Sequence, residues 1–246
     1  MDLDSLIATL EAIAPPELAD SIDQSRIGLV SRGKEEIDKI AVALDPTTYA
    51  IKEALRVNAD VLITHHTLIW NPITRISPRI RDELRLILNN DLSHYVLHTN
   101  YDAAPGGVND TLARLLGLED VEPFGVGRMG VIEPTSTTEF AQHVSRELTT
   151  DVQFIGNGTV CKVAVIGGSG FYSTEDAVEA GVDALVSAEL KHDIVRYAQG
   201  RISLIDATHY ATEAPAMQAL ARRLNAVFID DPPGLRYFTP VINKSQ

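Results

Sequence analysis

Two adjacent histidines, His65 and His66, follow an apolar run at residues 61–63 and one threonine. An apolar run of this length predicts a buried strand, and polar residues at the carboxyl end of a parallel strand project into the ligand crevice of an α/β sheet. Imidazole is the commonest metal ligand among protein side chains. The pair therefore predicts either a metal site or, more simply, two polar residues that cap a strand.

Imidazole and carboxylate groups follow two further apolar runs. His98 comes after residues 95–97, with Asp102 four residues later, and His209 follows the run at 204–205, with Glu213 four residues later. Each half of the chain thus has a His-x-x-x-acid pair after a predicted strand. We expect the two pairs to occupy equivalent positions, which favours the metal site over the simple cap.

A mixture of imidazole and carboxylate suits Zn, Fe, Mn, Co or Ni. Cys161 is the only cysteine, so the chain cannot form a cysteine-rich zinc site or an internal disulfide. Successive side chains of an extended backbone point in opposite directions, which makes it hard for His65 and His66 to reach one ion. Two ions bridged by a carboxylate would use both histidines.

The elements that must position these residues alternate along the chain, which predicts an α/β fold with largely parallel sheets. We expect strands at residues 37–44, 60–64, 94–98, 129–132, 160–166, 183–186, 203–206 and 226–229. We expect helices at residues 3–13, 47–57, 78–90, 108–116, 138–148, 174–180, 190–199 and 214–225. The glycine-rich stretch at 124–130 has the composition of a linker.

The sequence of the first half recurs in the second at an offset of 123 residues. Residues 39–42 read Lys-Ile-Ala-Val and residues 162–165 read Lys-Val-Ala-Val, while Asp60 falls on Asp183 without a gap. The repeat predicts two similar α/β lobes related by internal duplication, with a metal cleft between them. The first, residues 1–123, would supply His65, His66 and Asp102, and the second, residues 124–246, would supply His209 and Glu213.

Composition limits the partners that this chain can have. Of 246 residues, 45% are hydrophobic and 22% are charged, as a folded globular protein requires. The net charge of −13 and the absence of a basic cluster make nucleic acid an unfavourable partner. No apolar run is long enough to span a membrane and no secretory signal is evident, so we expect a cytoplasmic protein without a membrane partner.

Five motifs occur in order along nearly the whole chain: residues 64–70, THHTLIW; 98–102, HTNYD, with 106–110, GGVND; 125–130, GVGRMG; 167–170, GGSG; and 209–213, HYATE. Together they resemble the GTP cyclohydrolase 1 type 2 family, also called NIF-three-like proteins. The sequence departs from the family pattern at Thr67, at Ala207, at residues 187–189 and before Gly28. None of these departures removes a candidate ligand.

The resemblance implies a two-lobed α/β fold, a ring-shaped homohexamer and two divalent metal ions in the cleft. It implies metal ligands at His65, His66, Asp102, His209 and Glu213. The implied reaction is hydrolysis, in which hydroxide generated on the metals attacks the imidazole ring of a purine nucleotide such as GTP, or a similar small molecule. Asp102 and Glu213 would hold or bridge the metals as catalytic residues.

The residues leave several alternatives open. The same ligands would serve a metal-binding regulatory or scaffold protein without turnover, or a protein that binds a partner through an apolar patch. His98 is either a catalytic proton-transfer group or a structural histidine, and Arg128 either pairs with a substrate phosphate or contacts a neighbouring subunit. The 167–170 glycines form either a tight turn or a phosphate loop, and Glu189, Lys191 and His192 either line the cleft or begin a solvated helix.

Overall fold

The computed structural model describes residues 1–235 and contains two β-sheets with helices packed around them. The described strands are β1 Gly28–Ser31, β2 Ile40–Ala43, β3 Val61–Thr64, β4 Ser93–Val96, β5 Glu119–Phe124, β6 Gly127–Ser136, β7 Gln153–Ile155, β8 Thr159–Val165, β9 Ala184–Ser187, β10 Ser203–Asp206 and β11 Val227–Phe228. The described α-helices are α1 Leu3–Ile13, α2 Thr48–Arg56, α3 Pro78–Leu88, α4 Thr99–Ala103, α5 Val108–Leu115, α6 Thr137–Leu148, α7 Thr174–Glu179, α8 His192–Ala198 and α9 His209–Arg223. The predicted α/β class is confirmed.

The first sheet has the strand order β1-β4-β3-β2-β11. Strands β4, β3, β2 and β11 are parallel, and β1 joins β4 as an antiparallel edge. Every residue of β2, β3 and β4 is buried, as expected for parallel strands that helices cover on both faces. The carboxyl ends of β3 and β4 consequently meet at one edge of the sheet.

The second sheet has the strand order β5-β6-β8-β9-β10-β7 and is mixed. Its centre, β8-β9-β10, is parallel, whereas β5, β6 and β7 pair antiparallel. The prediction of a linker at 124–130 is wrong, because these residues are the end of β5, the two-residue turn at 125–126 and the start of β6. Gly125 takes a φ of 55° in this turn, which explains the glycine content without a linker.

The two parallel centres have matching hydrogen bonds. Asp60 accepts the N–H groups of Asp38 and Lys39, and Asp183 accepts those of Cys161 and Lys162 at the same 123-residue offset. The agreement supports the repeat, although a common origin by duplication stays a prediction.

The matching hydrogen bonds also correct one expected equivalence. Leu97 N donates to Thr64 O, and Ala207 N donates to Ser187 O. Leu97 and Ala207 are therefore equivalent positions in the two sheets. It follows that His98 is equivalent to Thr208, and Thr99 is equivalent to His209. The two His-x-x-x-acid pairs are offset by one residue and do not occupy equivalent positions.

Two helices cross between the lobes. The buried face of α9, with Met217 and Leu220, packs in the core of the first sheet, whereas α5 inserts Leu112 and Leu116 into the core of the second. β11 also belongs to the first sheet although it lies near the end of the chain. A division at residue 123 stays a prediction, and the last residues of the second predicted lobe, 236–246, lie outside the described residues.

Both candidate acidic residues lie on helical turns that the sequence did not indicate. α4 was not expected, and it places Asp102 on a short helix immediately after β4. α9 begins at His209 instead of residue 214, so His209 and Glu213 share one face of a helix at i, i+4 spacing. No helix among the described residues is long and apolar enough to cross a membrane.

Candidate metal centre

The first two candidate ligands lie where the chain leaves β3. The N–H groups of His65 and His66 both donate to Leu44 O, at 3.1 and 3.0 Å. The hydroxyl of Thr64 donates to His66 O at 2.6 Å and is itself 2.8 Å from His94 Nε2, below the site. These bonds fix the backbone that presents both imidazoles to the cleft.

Each of the three candidate ligand histidines is oriented through its Nδ1 atom. His65 Nδ1 lies 2.8 Å from Leu97 O, His66 Nδ1 lies 2.7 Å from Asp45 Oδ1, and His209 Nδ1 lies 2.8 Å from Glu189 Oε1. All three partners are acceptors, so Nδ1 donates the proton in each pair. Nε2 is then free to bind a metal, and an acceptor behind Nδ1 is the usual arrangement for metal-binding histidine.

The Glu213 carboxylate lies at the centre of the cluster. Its Oε1 is 3.7 Å from His65 Nε2, and its Oε2 is 3.3 Å from His66 Nε2 and 3.0 Å from His209 Nε2. Asp102 Oδ1 approaches His65 Nε2 from the other side at 3.6 Å. Tetrahedral ligands at about 2.1 Å from an ion lie about 3.4 Å from one another, so these separations suit shared coordination.

Unpaired buried atoms provide a direct test of whether these residues fit a cation. Within residues 1–235, six buried side-chain nitrogen or oxygen atoms have no hydrogen-bond partner, and four of them lie in this cluster. They are His65 Nε2, Asp102 Oδ1, His209 Nε2 and Glu213 Oε2. Leaving such atoms unpaired is costly, and a bound cation would satisfy all four. The donor set therefore fits a divalent metal, and the cluster could bind one.

The electrostatics of the cluster favour positive charge. Burial lowers the pKa of His66, but the hydrogen bond to Asp45 and the nearby Glu213 carboxylate outweigh that effect and raise the pKa to about 10. Burial also lowers the pKa of His209, but Glu213 and Glu189 outweigh burial and raise this pKa to about 9. For Glu213, burial is outweighed by the surrounding imidazoles, which hold the pKa of its carboxyl well below the usual range.

Asp102 differs from Glu213 in its pKa. Burial, together with the neighbouring charge of Glu213, raises the pKa of the Asp102 carboxyl although His65 lowers it. Two carboxylates in one buried site repel each other, and a cation between them removes that repulsion.

Gly168 gives Glu213 the space that it occupies. A Cβ atom at position 168 would lie 2.1 Å from Glu213 Oε1 and 3.0 Å from His209 Nε2. The residue also has a φ of 63°, which favours glycine. The glycine-rich stretch after β8 is thus a tight turn that borders the cluster.

Comparison with known proteins identifies the family of this chain. The family model for Duf34/NIF3 (NGG1p interacting factor 3) matches residues 1–236. The chain belongs to the Duf34/NIF3 family. The resemblance seen in the sequence is therefore confirmed.

Relatives of this Duf34/NIF3 protein match it over nearly their whole length. A protein from Pyrococcus abyssi (strain GE5 / Orsay), named GTP cyclohydrolase 1 type 2 homolog, is 35% identical over 87% of this chain and 92% of its own. The solved structure of protein ybgI, described as of unknown function, has a TM-score of 0.89 at 27% identity and covers 96% of this chain and 100% of its own. Reduced HcgD from Methanocaldococcus jannaschii has a TM-score of 0.82 at 30% identity and covers 93% of this chain and 96% of its own.

All five predicted metal ligands of this Duf34/NIF3 protein come together in the structure. The sixth predicted site residue, His98, also faces the centre, with a ring nitrogen within 4.8 Å of nitrogens of His65 and His66. Its Nδ1 lies 2.5 Å from Asp23 Oδ2. Burial and the nearby His65 lower the pKa of His98 to about 4, despite the opposing effect of Asp23.

Arg128 is bound within this chain, and the two roles expected for it stay predictions. It is buried and donates to Asp110, to Gly127 O and to Ala103 O. Its guanidinium is engaged inside this chain, where it links β6 to the segments around α4 and α5. A substrate phosphate or a neighbouring subunit would have to displace these bonds.

The sequence did not single out Asp45, which orients His66, and left the role of Glu189 open. Both have a recognisable signal, since Asp45 follows β2 and Glu189 follows β9 at the carboxyl ends of parallel strands. By the 123-residue offset Glu189 is the counterpart of His66. Glu189 does line the cavity beside the cluster, whereas His192 begins α8 and is exposed.

Proposed function

We propose that this Duf34/NIF3 protein is a metal-dependent hydrolase that holds two divalent ions and acts on a purine nucleotide or a similar small molecule. The observation that carries the proposal is the convergence of unpaired buried atoms around Glu213. Relatives that match most of this chain are named GTP cyclohydrolase 1 type 2 homolog, which supports hydrolysis of a purine.

The two oxygens of Glu213 divide the ligands into two groups. Oε1 faces His65, which is also next to Asp102, while Oε2 faces His66 and His209. Glu213, Asp102 and the three histidines would hold the metal, and each histidine would be kept in place by the acceptor behind its Nδ1. Bound divalent cations supply Lewis acidity and make water nucleophilic near neutral pH.

His98 is the candidate for proton transfer in this reaction. It lines the same cavity as Asp102 and Glu213, and Asp23 holds its ring through Nδ1. A fixed imidazole beside the reacting centre can accept a proton from the incoming water or deliver one to the leaving group.

Metal analysis of purified protein tests the ligand set. We expect about two ions per chain in the wild type, as in two-metal hydrolases, and fewer in His65→Ala and Glu213→Ala. His192→Ala, an exposed histidine outside the cluster, should keep the wild-type content. Equal metal content in all four proteins would refute the ligand assignment.

Turnover tests the reaction independently of metal content. Loss of GTP, followed by product analysis, should require the metal and should disappear in Asp102→Ala while the variant keeps its folded circular-dichroism spectrum. Metal-loaded wild type that converts neither GTP nor other purines would instead support a regulatory or scaffold protein without turnover.

Assembly and location belong to the same proposal. The family resemblance supports a cytoplasmic homohexamer, and light scattering of the purified chain would give a mass six times that of the protomer. A monomer at micromolar concentration would contradict the hexamer and leave the metal-site proposal standing.

A further inference from the structure

A cavity of about 660 Å³ leads from solvent to the candidate metal centre. His66, Asp102, His209 and Glu213 line one end, where Asp102 and Glu213 are buried. Ile22, Trp70 and Tyr172 also line the cavity and are open to solvent, with exposed fractions of 68, 46 and 69%. The volume suits a small-molecule ligand.

Trp70 is held in position although it is exposed. The Arg26 guanidinium lies over its ring at 4.3 Å from the centroid, and Arg26 Nε donates to the carbonyl of Trp70 at 2.8 Å. The rings of Trp70 and His98 are nearly perpendicular, with centroids 5.2 Å apart and an interplanar angle of 88°. A preformed aromatic wall beside a polar centre favours a flat ring as the ligand, because stacking covers the exposed rings.

The charge of the cavity wall disfavours a polyphosphate. Asp20, Asp23 and Glu189 line the cavity besides the two candidate carboxylate ligands, and among residues 1–235 no lysine or arginine does. Arg26 is nearby, but its guanidinium pairs with Asp23 at 2.7 Å. Phosphate recognition ordinarily uses arginine, lysine, a bound metal ion or a cluster of backbone N–H groups, and carboxylates repel phosphate. Even with two divalent ions bound, the five carboxylates that line the cavity would leave it with a net negative charge.

We infer that this cavity binds an uncharged, planar N-heteroaromatic compound, a nucleobase or nucleoside, in preference to a nucleoside triphosphate. Trp70 and Tyr172 hold the ring, and the metal centre lies at the inner end. The inference rests on the proposed function only in taking this cavity as the substrate site. It narrows the substrate to a compound without a triphosphate.

Fluorescence of Trp70 measures this binding without any turnover, because Trp70 is the only tryptophan of the chain. Guanosine and GTP are titrated into the metal-loaded wild type at equal ionic strength, with calorimetry as a second readout. We expect the dissociation constant for guanosine to be at least about tenfold lower than that for GTP. Tyr172→Ala should weaken guanosine binding about tenfold, as loss of one stacking side chain does, with unchanged metal content.

Tyr49→Ala is the matched control, since Tyr49 is 52% exposed on α2 and does not line the cavity. It should bind guanosine as the wild type does. Tighter binding of GTP than guanosine, no binding of guanosine, or equal affinity in Tyr172→Ala and Tyr49→Ala would each overturn the inference. Binding of guanosine without turnover of any purine would refute the hydrolase and leave this inference standing. Turnover of GTP together with tight GTP binding would support the hydrolase and refute this inference.

Discussion

At the scale of single residues, the orientation of the three candidate ligand histidines depends on acceptors from other segments of the chain, namely Leu97 O, Asp45 and Glu189. His65, His66, Asp102, His209 and Glu213 could be named from their types and from their position after apolar runs. Their hydrogen-bond partners depend on which strand ends are adjacent. Asp45 was overlooked for this reason, although it lies 2.7 Å from His66 Nδ1.

Substitution of Gly168 tests the space that the cluster needs. In Gly168→Ala the new Cβ would overlap with Glu213 Oε1, so the carboxylate must move. We expect metal content to fall and the free energy of unfolding to drop by about 1–3 kcal/mol from the strained backbone. Elemental analysis and urea unfolding measure the two effects.

Gly181→Ala separates backbone strain from the clash. Gly181 has a φ of 66°, close to that of Gly168, but no atom lies within 4 Å of its added Cβ. The control should lose comparable stability and keep its metal. Equal metal content in the two variants would show that Gly168 does not shape the site.

At the scale of elements, the sequence predicted the central strands because each is a short run of buried apolar residues. It missed β1, β5 and β7, which lie at or beside the sheet edges and have exposed or half-buried residues. It also began α9 too late. Proline favours the first turn of a helix, whereas Pro215 lies inside α9.

The Asp60 carboxylate, which binds the turn before β2, should stabilise the fold in a pH-dependent way. Burial raises the pKa of the Asp60 carboxyl, but the Lys34 ammonium at 2.7 Å and the N–H groups of Asp38 and Lys39 outweigh it, so the pKa lies below the ordinary value of 3.8. A lowered pKa in the folded state contributes stability above pH 3.8, and this is lost as pH falls through the folded value. In urea unfolding near pH 7, Asp60→Asn should therefore cost about 2 kcal/mol.

The difference between wild type and Asp60→Asn should shrink as the pH is lowered below 3.8. In a Lys34→Met background the difference at neutral pH should already be smaller, because the ammonium is gone. A difference that stays constant down to the acid-unfolding transition would mean that the charge of Asp60 does not stabilise the fold.

At the scale of the whole molecule, the repeat predicted two α/β halves but could not predict the exchange of helices between them. The 123-residue offset relates strands, whereas α5 and α9 are placed by packing between distant parts of the chain. Local periodicity carries no information about which sheet an amphipathic helix covers. The pairing of β11 with β2 likewise joins distant parts of the chain, so local periodicity could not predict it.

Removal of metal should lower the stability of the whole fold, since the ligands join the ends of β3 and β4 to α9. A ligand at about 1,000 times its dissociation constant adds about 4 kcal/mol, so a chelator should lower the Tm by roughly 10 °C. Differential scanning calorimetry with and without chelator, followed by addition of Zn²⁺, measures the loss and the recovery. The Tm of Glu213→Gln should change little on addition of chelator. An unchanged Tm of the wild type after the chelator has removed its ions would contradict the prediction.

The packing of helix α9 also affects how ions and small molecules enter and leave the cleft. Its first turns hold His209 and Glu213, while Met217 and Leu220 are fixed in the apolar interior of the first sheet. A hinged parting of the two halves would separate α9 from α5, and exposing apolar side chains between the two helices to water would be unfavourable. Ions and small molecules should therefore enter and leave past Trp70 and Tyr172. The rate of exchange should be set by the motion of a few side chains at the rim of the cavity and should not depend on slow motion of the two sheets.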